Sequence, residues 1–259
     1  MRWLAALFIA LLALPAMPQA GQAQGRDPIL VPEISQHEVQ VRQGFTGTQL
    51  LLYGAILDPD GSRATSDYDM VVILRGPGEA IRVREKKRFL GIWVNAESTS
   101  FRSVPSFFAL ASSSPVDQIV DARTAAIYEF GLQHLQLSPT GSIDPDEYVR
   151  FTRGLVDLRM RNGLFQQDEA GVTVSENVLY SARIDLPSNV AVGRYVAETF
   201  AIRDGRVIAA ASSEVLVRKE GLDRVVAEQA ERNAFFYGLL VVGFSVFMGW
   251  AAGRLFALV

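Results

Sequence analysis

Apolar and polar positions alternate with period two over most of this chain, and that pattern belongs to half-buried β-strands. Val39 and Val41 alternate with polar neighbours inside Ile29 to Val41. Gln49 to Ile56 (QLLLYGAI) and Asp69 to Leu74 (DMVVIL) are apolar strands, separated by turn chemistry at Asp58-Pro59-Asp60-Gly61-Ser62. Gly76-Pro77-Gly78 breaks the pattern. Ala80 to Arg84 then places Ile81 and Val83 on one side and Arg82 and Arg84 on the other. Glu85-Lys86-Lys87-Arg88 predicts a charged loop, and Phe89 to Val94 a strand whose Trp93 enters a core. Phe101 to Ser113 gives one or two more strands. Short strands with turns about every ten residues predict a mainly β fold, an immunoglobulin-like β-sandwich over 24–114.

The period changes in the middle. Ser114-Pro115 followed by Asp117 is a helix start, and the segment breaks near Asp121. Asp144-Pro145-Asp146-Glu147 is a second start, with Asp144 as cap and Glu147 placed for a capping box. Tyr148, Phe151, Leu155 and Leu158 then form one apolar face, which Asn162-Gly163 ends. This helical segment covers 115–165. Strand pattern returns over 166–220, with a hairpin at Arg203-Asp204-Gly205-Arg206 whose Asp-Gly pair predicts a two-residue primed turn. That stretch forms either a second, smaller β-unit or a sheet shared with the first.

Two segments are apolar without alternation. Residues 1–23 carry one arginine, an apolar run from Trp3 to Leu14 and small residues after Pro15, as a cleaved signal peptide does. Residues 235–254 hold FFYGLLVVGFSVFMGWAAG followed by Arg254. The nineteen uncharged residues make about 28 Å of helix, close to the ~30 Å hydrocarbon core of a bilayer. A transmembrane helix is expected there, with 221–234 as a helical juxtamembrane stalk. The leader places the bulk outside the cytoplasm, ahead of a membrane anchor with a short cytoplasmic C-terminus. Ser245, Gly249 and Gly253 share one helix face, a spacing that permits close helix packing.

Composition narrows the chemistry. The chain of 259 residues has no cysteine, which excludes disulfides, thiolate metal sites and a cysteine nucleophile. Its formal net charge of −3 argues against nucleic acid. His37 and His134 lack metal-ligand spacing, and no nucleophile elbow, P-loop or dinucleotide fingerprint is present. Asp58, Asp60, Asp67 and Asp69 flank one turn and are expected to be solvated acids rather than a calcium loop. No catalytic residue, metal or cofactor is expected. The densest charge feature is basic: Arg82, Arg84, Lys86, Lys87 and Arg88, a candidate surface for an anionic ligand, lipid head groups or an acidic partner.

The stretches GFTGTQLLLYGA (44–55), VREKKRFLGIWVN (83–95), VPSFFALASS (104–113) and VLYSARIDLPSNVAVGRY (178–195) resemble a family of alphaproteobacterial transmembrane proteins with no assigned activity. The resemblance covers nearly the whole chain. It implies an inner-membrane protein with a periplasmic bulk, and as partner another membrane or envelope protein, a transporter resembling sulfite or anion exporters. It supplies no catalytic residues. The function expected is a membrane-anchored, non-enzymatic accessory protein; the alternative is a periplasmic module that binds or senses a small anion.

Overall fold

A computed structural model describes residues 28–42, 44–57, 68–176, 178–219 and 234–256. The leader, Asp58, Asp60, Asp67 and the stalk at 221–233 lie outside the described residues. Twelve strands are seen among those described, in two sheets and one free-standing hairpin. The first sheet has the order β1 (Ile29–Ile34), β3 (Gly47–Leu57), β10 (Leu179–Pro187), β9 (Val172–Ser175). The second has the order β2 (Glu38–Val41), β12 (Arg206–Lys219), β11 (Gly193–Arg203), β4 (Asp69–Arg75), β7 (Phe108–Ser112), β8 (Phe165–Asp168). β5 (Gly78–Phe89) and β6 (Ile92–Pro105) pair with each other, and Phe101 of β6 also makes an isolated bridge to Pro139.

The alternation predicted from the sequence is what lets the two sheets share a core. Leu50, Leu52 and Ile56 of β3 and Tyr180, Ala182, Ile184 and Leu186 of β10 point inward at every second position. β4 differs: Met70 to Leu74 are all buried, because its second face is covered as well. That cover is the helical segment: α1 (Val116–Ile119), α2 (Ala122–Tyr128), a single 3-10 turn (Leu132–His134) and α3 (Pro145–Arg161). Phe200 of β11 packs edge-on against Tyr128 and Phe130, with ring centroids at 5.6 and 5.1 Å. Asp121 caps α2 by accepting from Thr124 N, which explains the break there. Asp144 caps α3 by accepting from Asp146 N at 2.9 Å.

Strand pairing shows where two stretches of the chain lie. The strands of 166–220 do not form a β-unit of their own. β10 pairs with β3 and β11 with β4, so they complete both sheets. The N-terminal strand pattern is split in two: β1 joins the first sheet, and after Ser35–His37 the chain crosses to the second, where β2 runs parallel to β12. At the Asp204-Gly205 turn both residues have positive φ, 51° and 75°, and Arg203 pairs with Arg206 as the primed turn requires.

Tyr195 lies three residues into β11 with no solvent exposure, its hydroxyl donating to Ala191 O at 2.8 Å. Burial pushes its phenol up to about 12. The native state thus keeps this proton where an unfolded tyrosine, near 10, loses it. The resulting stability is fully present below about pH 10 and is lost as pH rises toward 12. The shift corresponds to about 2–3 kcal/mol. Urea unfolding at pH 8 and pH 12 should show this extra fall in the native chain and not in Tyr195→Phe.

Candidate functional site

The basic residues singled out in the sequence lie on the β5–β6 hairpin, which is a continuation of the core. β4 pairs with β7 from Val71↔Ser112 to Arg75↔Phe108, and the same register runs on to Gly78↔Pro105. Across the join, Gly76 N donates to Phe107 O and Ser106 N to Pro77 O. Gly76-Pro77 is therefore a bend in one long hairpin rather than the end of a strand. The charged stretch Glu85 to Arg88 is strand, not loop.

Strand alternation sorts this hairpin into two faces. Glu79, Ile81, Val83 and Glu85 are half-buried. This face leans on α3. Arg159 pairs with Glu79, and Arg150 pairs with Glu97 and lies 3.4 Å from Glu85. Phe101, opposite Ile81, meets Tyr148 edge-on at 6.3 Å. Lys87 belongs to this network as well: its Nζ donates to Glu97 at 2.7 Å. That hydrogen bond raises the lysine's pKa and lowers the glutamate's.

Arg82, Arg84, Lys86 and Arg88 stand in file on the other face, all exposed. Across from them on β6 are Ser100, Ser98, Asn95 and Trp93. Arg82 donates to Ser98 Oγ at 2.9 Å. Of the five basic residues proposed as one patch, four therefore share a face and Lys87 does not.

At the end of the hairpin, Phe89 pairs with Ile92 around a two-residue turn, Leu90-Gly91, with φ of 47° and 87°. Phe89, Leu90, Ile92 and Trp93 are 62, 89, 63 and 68 % exposed. Trp93 is thus not a core tryptophan. The turn has the same positive-φ geometry as Asp204-Gly205, but its first position holds leucine. A side chain with a Cβ is disfavoured in the left-handed region by about 1–2 kcal/mol, and Asn, Asp or Gly is the usual choice. Neither local geometry nor burial accounts for a leucine there.

α4 (Ala234–Phe256) is the second candidate. Phe235, Leu239, Val241, Val242, Phe244, Val246, Phe247, Met248 and Trp250 are all exposed. Ser245 Oγ donates to Val241 O at 2.9 Å, and nothing lies within 4 Å of a Cβ built on Gly249 or Gly253. Among the described residues no helix is long and apolar enough to cross a membrane.

A groove of about 670 Å³ runs between α3 and the 3-10 turn, lined by Leu132, Leu135, Tyr148, Val156 and Met160 with Arg153 and Asp157 on its rim. Neither histidine lines it. His37 is exposed and 3.0 Å from Glu33. Among the described residues no group of His, Asp or Glu is arranged to hold a metal. Asp69, the one described acid of its turn, accepts from Ser113 Oγ at 2.9 Å.

Residues 29–257 match the family model described as "Putative transmembrane protein (Alph_Pro_TM)", and the chain belongs to that family. No curated protein matches the chain.

Proposed function

We propose that this chain is a membrane-anchored, non-enzymatic accessory protein: α4 crosses the inner membrane once, and an immunoglobulin-like β-sandwich is held outside the cytoplasm beside another envelope protein. The carrying observation is that the described apolar side chains of α4, from Val241 to Trp250, are exposed on successive turns, and among the described residues no other element covers them. A helix that is apolar all round is at home in a protein core or in lipid. Among the described residues no core receives it. Over its full 23 residues the helix is about 34 Å long, with Arg254 its only charged side chain.

Two features support the immunoglobulin-like reading. The first strand splits between sheets and pairs in parallel with the last. Tyr195, near the start of the penultimate strand, closes back on Ala191 as a tyrosine corner does. Ser245, Gly249 and Gly253 leave one side of α4 open to close approach by a partner helix, and the partner we propose is a transporter of the anion-exporter kind. Binding of a small anion is less well supported. Such a site needs convergent donors in a concavity, whereas the four cations stand on an open strand face.

The test is extraction of membranes with alkaline carbonate. The full chain should stay with the lipid, and a chain ended after Lys219 should be released completely. A full chain that washes off would overturn the anchor.

A further inference from the structure

We infer that the β5–β6 hairpin is a second membrane contact: its tip inserts Phe89, Leu90, Ile92 and Trp93 into the interface of an anionic bilayer, and the Arg82–Arg84–Lys86–Arg88 file lies against the lipid head groups. This rests on the proposal that α4 anchors the chain, and the bilayer meant is the one α4 crosses.

Three observations converge on lipid as the occupant. The first is the order of chemistry along the hairpin. Large apolar side chains occupy both faces of the tip, with Trp93 directly across from Arg88, and the exposed cations follow behind. Aromatic residues sit at the head-group level of membranes, and cations just outside it meet anionic lipid. A long flat cationic file matches an extended anionic surface better than a single small ion.

The second is the leucine at the turn. Left-handed φ at a residue with a Cβ falls elsewhere among the described residues on Glu129, Glu176 and Asp204, all polar; Leu90 is the apolar one, and its side chain is the most exposed of the four at the tip. Backbone strain of this kind is kept where a function requires it.

The third is where the hairpin leaves the fold. β12 ends at Lys219, and its Val217 pairs with Gly193, whose position abuts Pro77 at the root of the hairpin. The hairpin and the chain leading to α4 therefore depart from the same end of the second sheet. β5 extends about 40 Å from that end, and the 15 residue steps from Lys219 to Ala234 reach at most about 50 Å. The tether is long enough for tip and anchor to meet one bilayer.

The absence of cysteine allows single-site labelling. The full chain, carrying an environment-sensitive dye at Leu90→Cys, is reconstituted into vesicles of phosphatidylcholine alone or with phosphatidylglycerol. With phosphatidylglycerol the emission should shift to the blue and be quenched by a nitroxide placed within the bilayer. A dye at Leu179→Cys, at the far end of the sandwich, should respond only to aqueous iodide. Replacing Arg84, Lys86 and Arg88 by Glu should lower the docked-to-free ratio by at least on the order of a hundredfold, at about fivefold per cation lost. With the dye moved to Ile92→Cys, Leu90→Asn should weaken docking without lowering the melting temperature, which separates a lipid contact from a folding role.

Chain retained in the vesicles with a Leu90 dye that bilayer nitroxide leaves unquenched overturns the hairpin contact and spares the anchor. Shielding from iodide without nitroxide quenching does the same, and shows a second copy or another protein on the tip. Equal quenching in both vesicle types overturns the cationic file as the guide. Chain lost from all vesicles overturns the anchor, and the inference with it.

Discussion

Gly54→Ala is expected to cost about 3 kcal/mol, a large share of the roughly 5–15 kcal/mol that holds a domain together. Gly54 lies in the middle of β3, between Pro32 of β1 and Tyr180 of β10. A Cβ there would stand 2.3 Å from Val31 O and 2.6 Å from Tyr180 Oη. The first neighbour is backbone and cannot turn aside, so β1 would have to leave its register. The second is the tip of a buried ring directly opposite the glycine, which fills the space a side chain would take. Swinging that ring away would also break the reach of Tyr180 Oη toward Thr199 Oγ1 in the facing sheet, 3.5 Å away. Urea unfolding should show a lower midpoint with an unchanged slope. A cost below about 1 kcal/mol would mean that the β1 edge gives way freely.

That same strand shows how much the sequence could and could not tell. The alternation in Gln49 to Ile56 predicts a strand with one buried face, because burial itself imposes the period. It is silent on which strand lies alongside. β3 joins a strand more than 120 residues away, and only the folded chain reveals that 166–220 completes the first sheet instead of standing apart. Turn chemistry was legible at Asp204-Gly205, where local φ demands and residue type agree. It was hidden at Leu90-Gly91, where they conflict. A leucine between Phe89 and Ile92 reads as more strand, and the neighbouring charges read as loop, so the sequence alone puts the turn out of step and Trp93 in a core. The remaining signal was the alternation itself: Ile81, Val83 and Glu85 against Arg82, Arg84, Lys86 and Arg88 runs unbroken through the supposed loop.

The cationic residues were found in the sequence because charge clusters are visible without a fold. Their division was not. Lys87 differs from Lys86 only by parity, and parity sends one to Glu97 and Arg150 and the other to solvent. The acids that neutralise the inner face, Glu79 and Glu97, answer to arginines on α3 that lie more than fifty residues further along the chain. Exposed pairs of this kind contribute little to stability one by one. Their arrangement has another consequence: the inner face is neutralised by the protein, which leaves the outer file as the hairpin's uncompensated charge.

Phe101→Ala should be the most damaging single change on the hairpin, at about 3–5 kcal/mol. A free two-stranded ribbon is barely stable in water, so this one must borrow its order from what it leans on. Phe101 is fully buried although its strand has only one partner, because it inserts where three elements meet. It faces Ile81 across the hairpin, meets Tyr148 of α3 edge-on and bridges to Pro139. Around it Arg102 N donates to Ser138 O and Thr140 N to Ser100 O, while Tyr148 Oη holds Leu137 O at 3.0 Å. Removing the ring would leave a cavity under all of these and free the hairpin from α3. Trp93→Ala and Phe89→Ala, by contrast, should change stability by no more than about 0.5 kcal/mol, since their side chains contact solvent rather than core. Urea unfolding of the three variants, with hydrogen exchange of the β6 amides, measures the contrast. A tip variant as costly as Phe101→Ala would show that the exposed aromatics serve the fold. The expected order places the folding energy at the base of the hairpin and leaves the exposed side chains of its tip for the surface it meets.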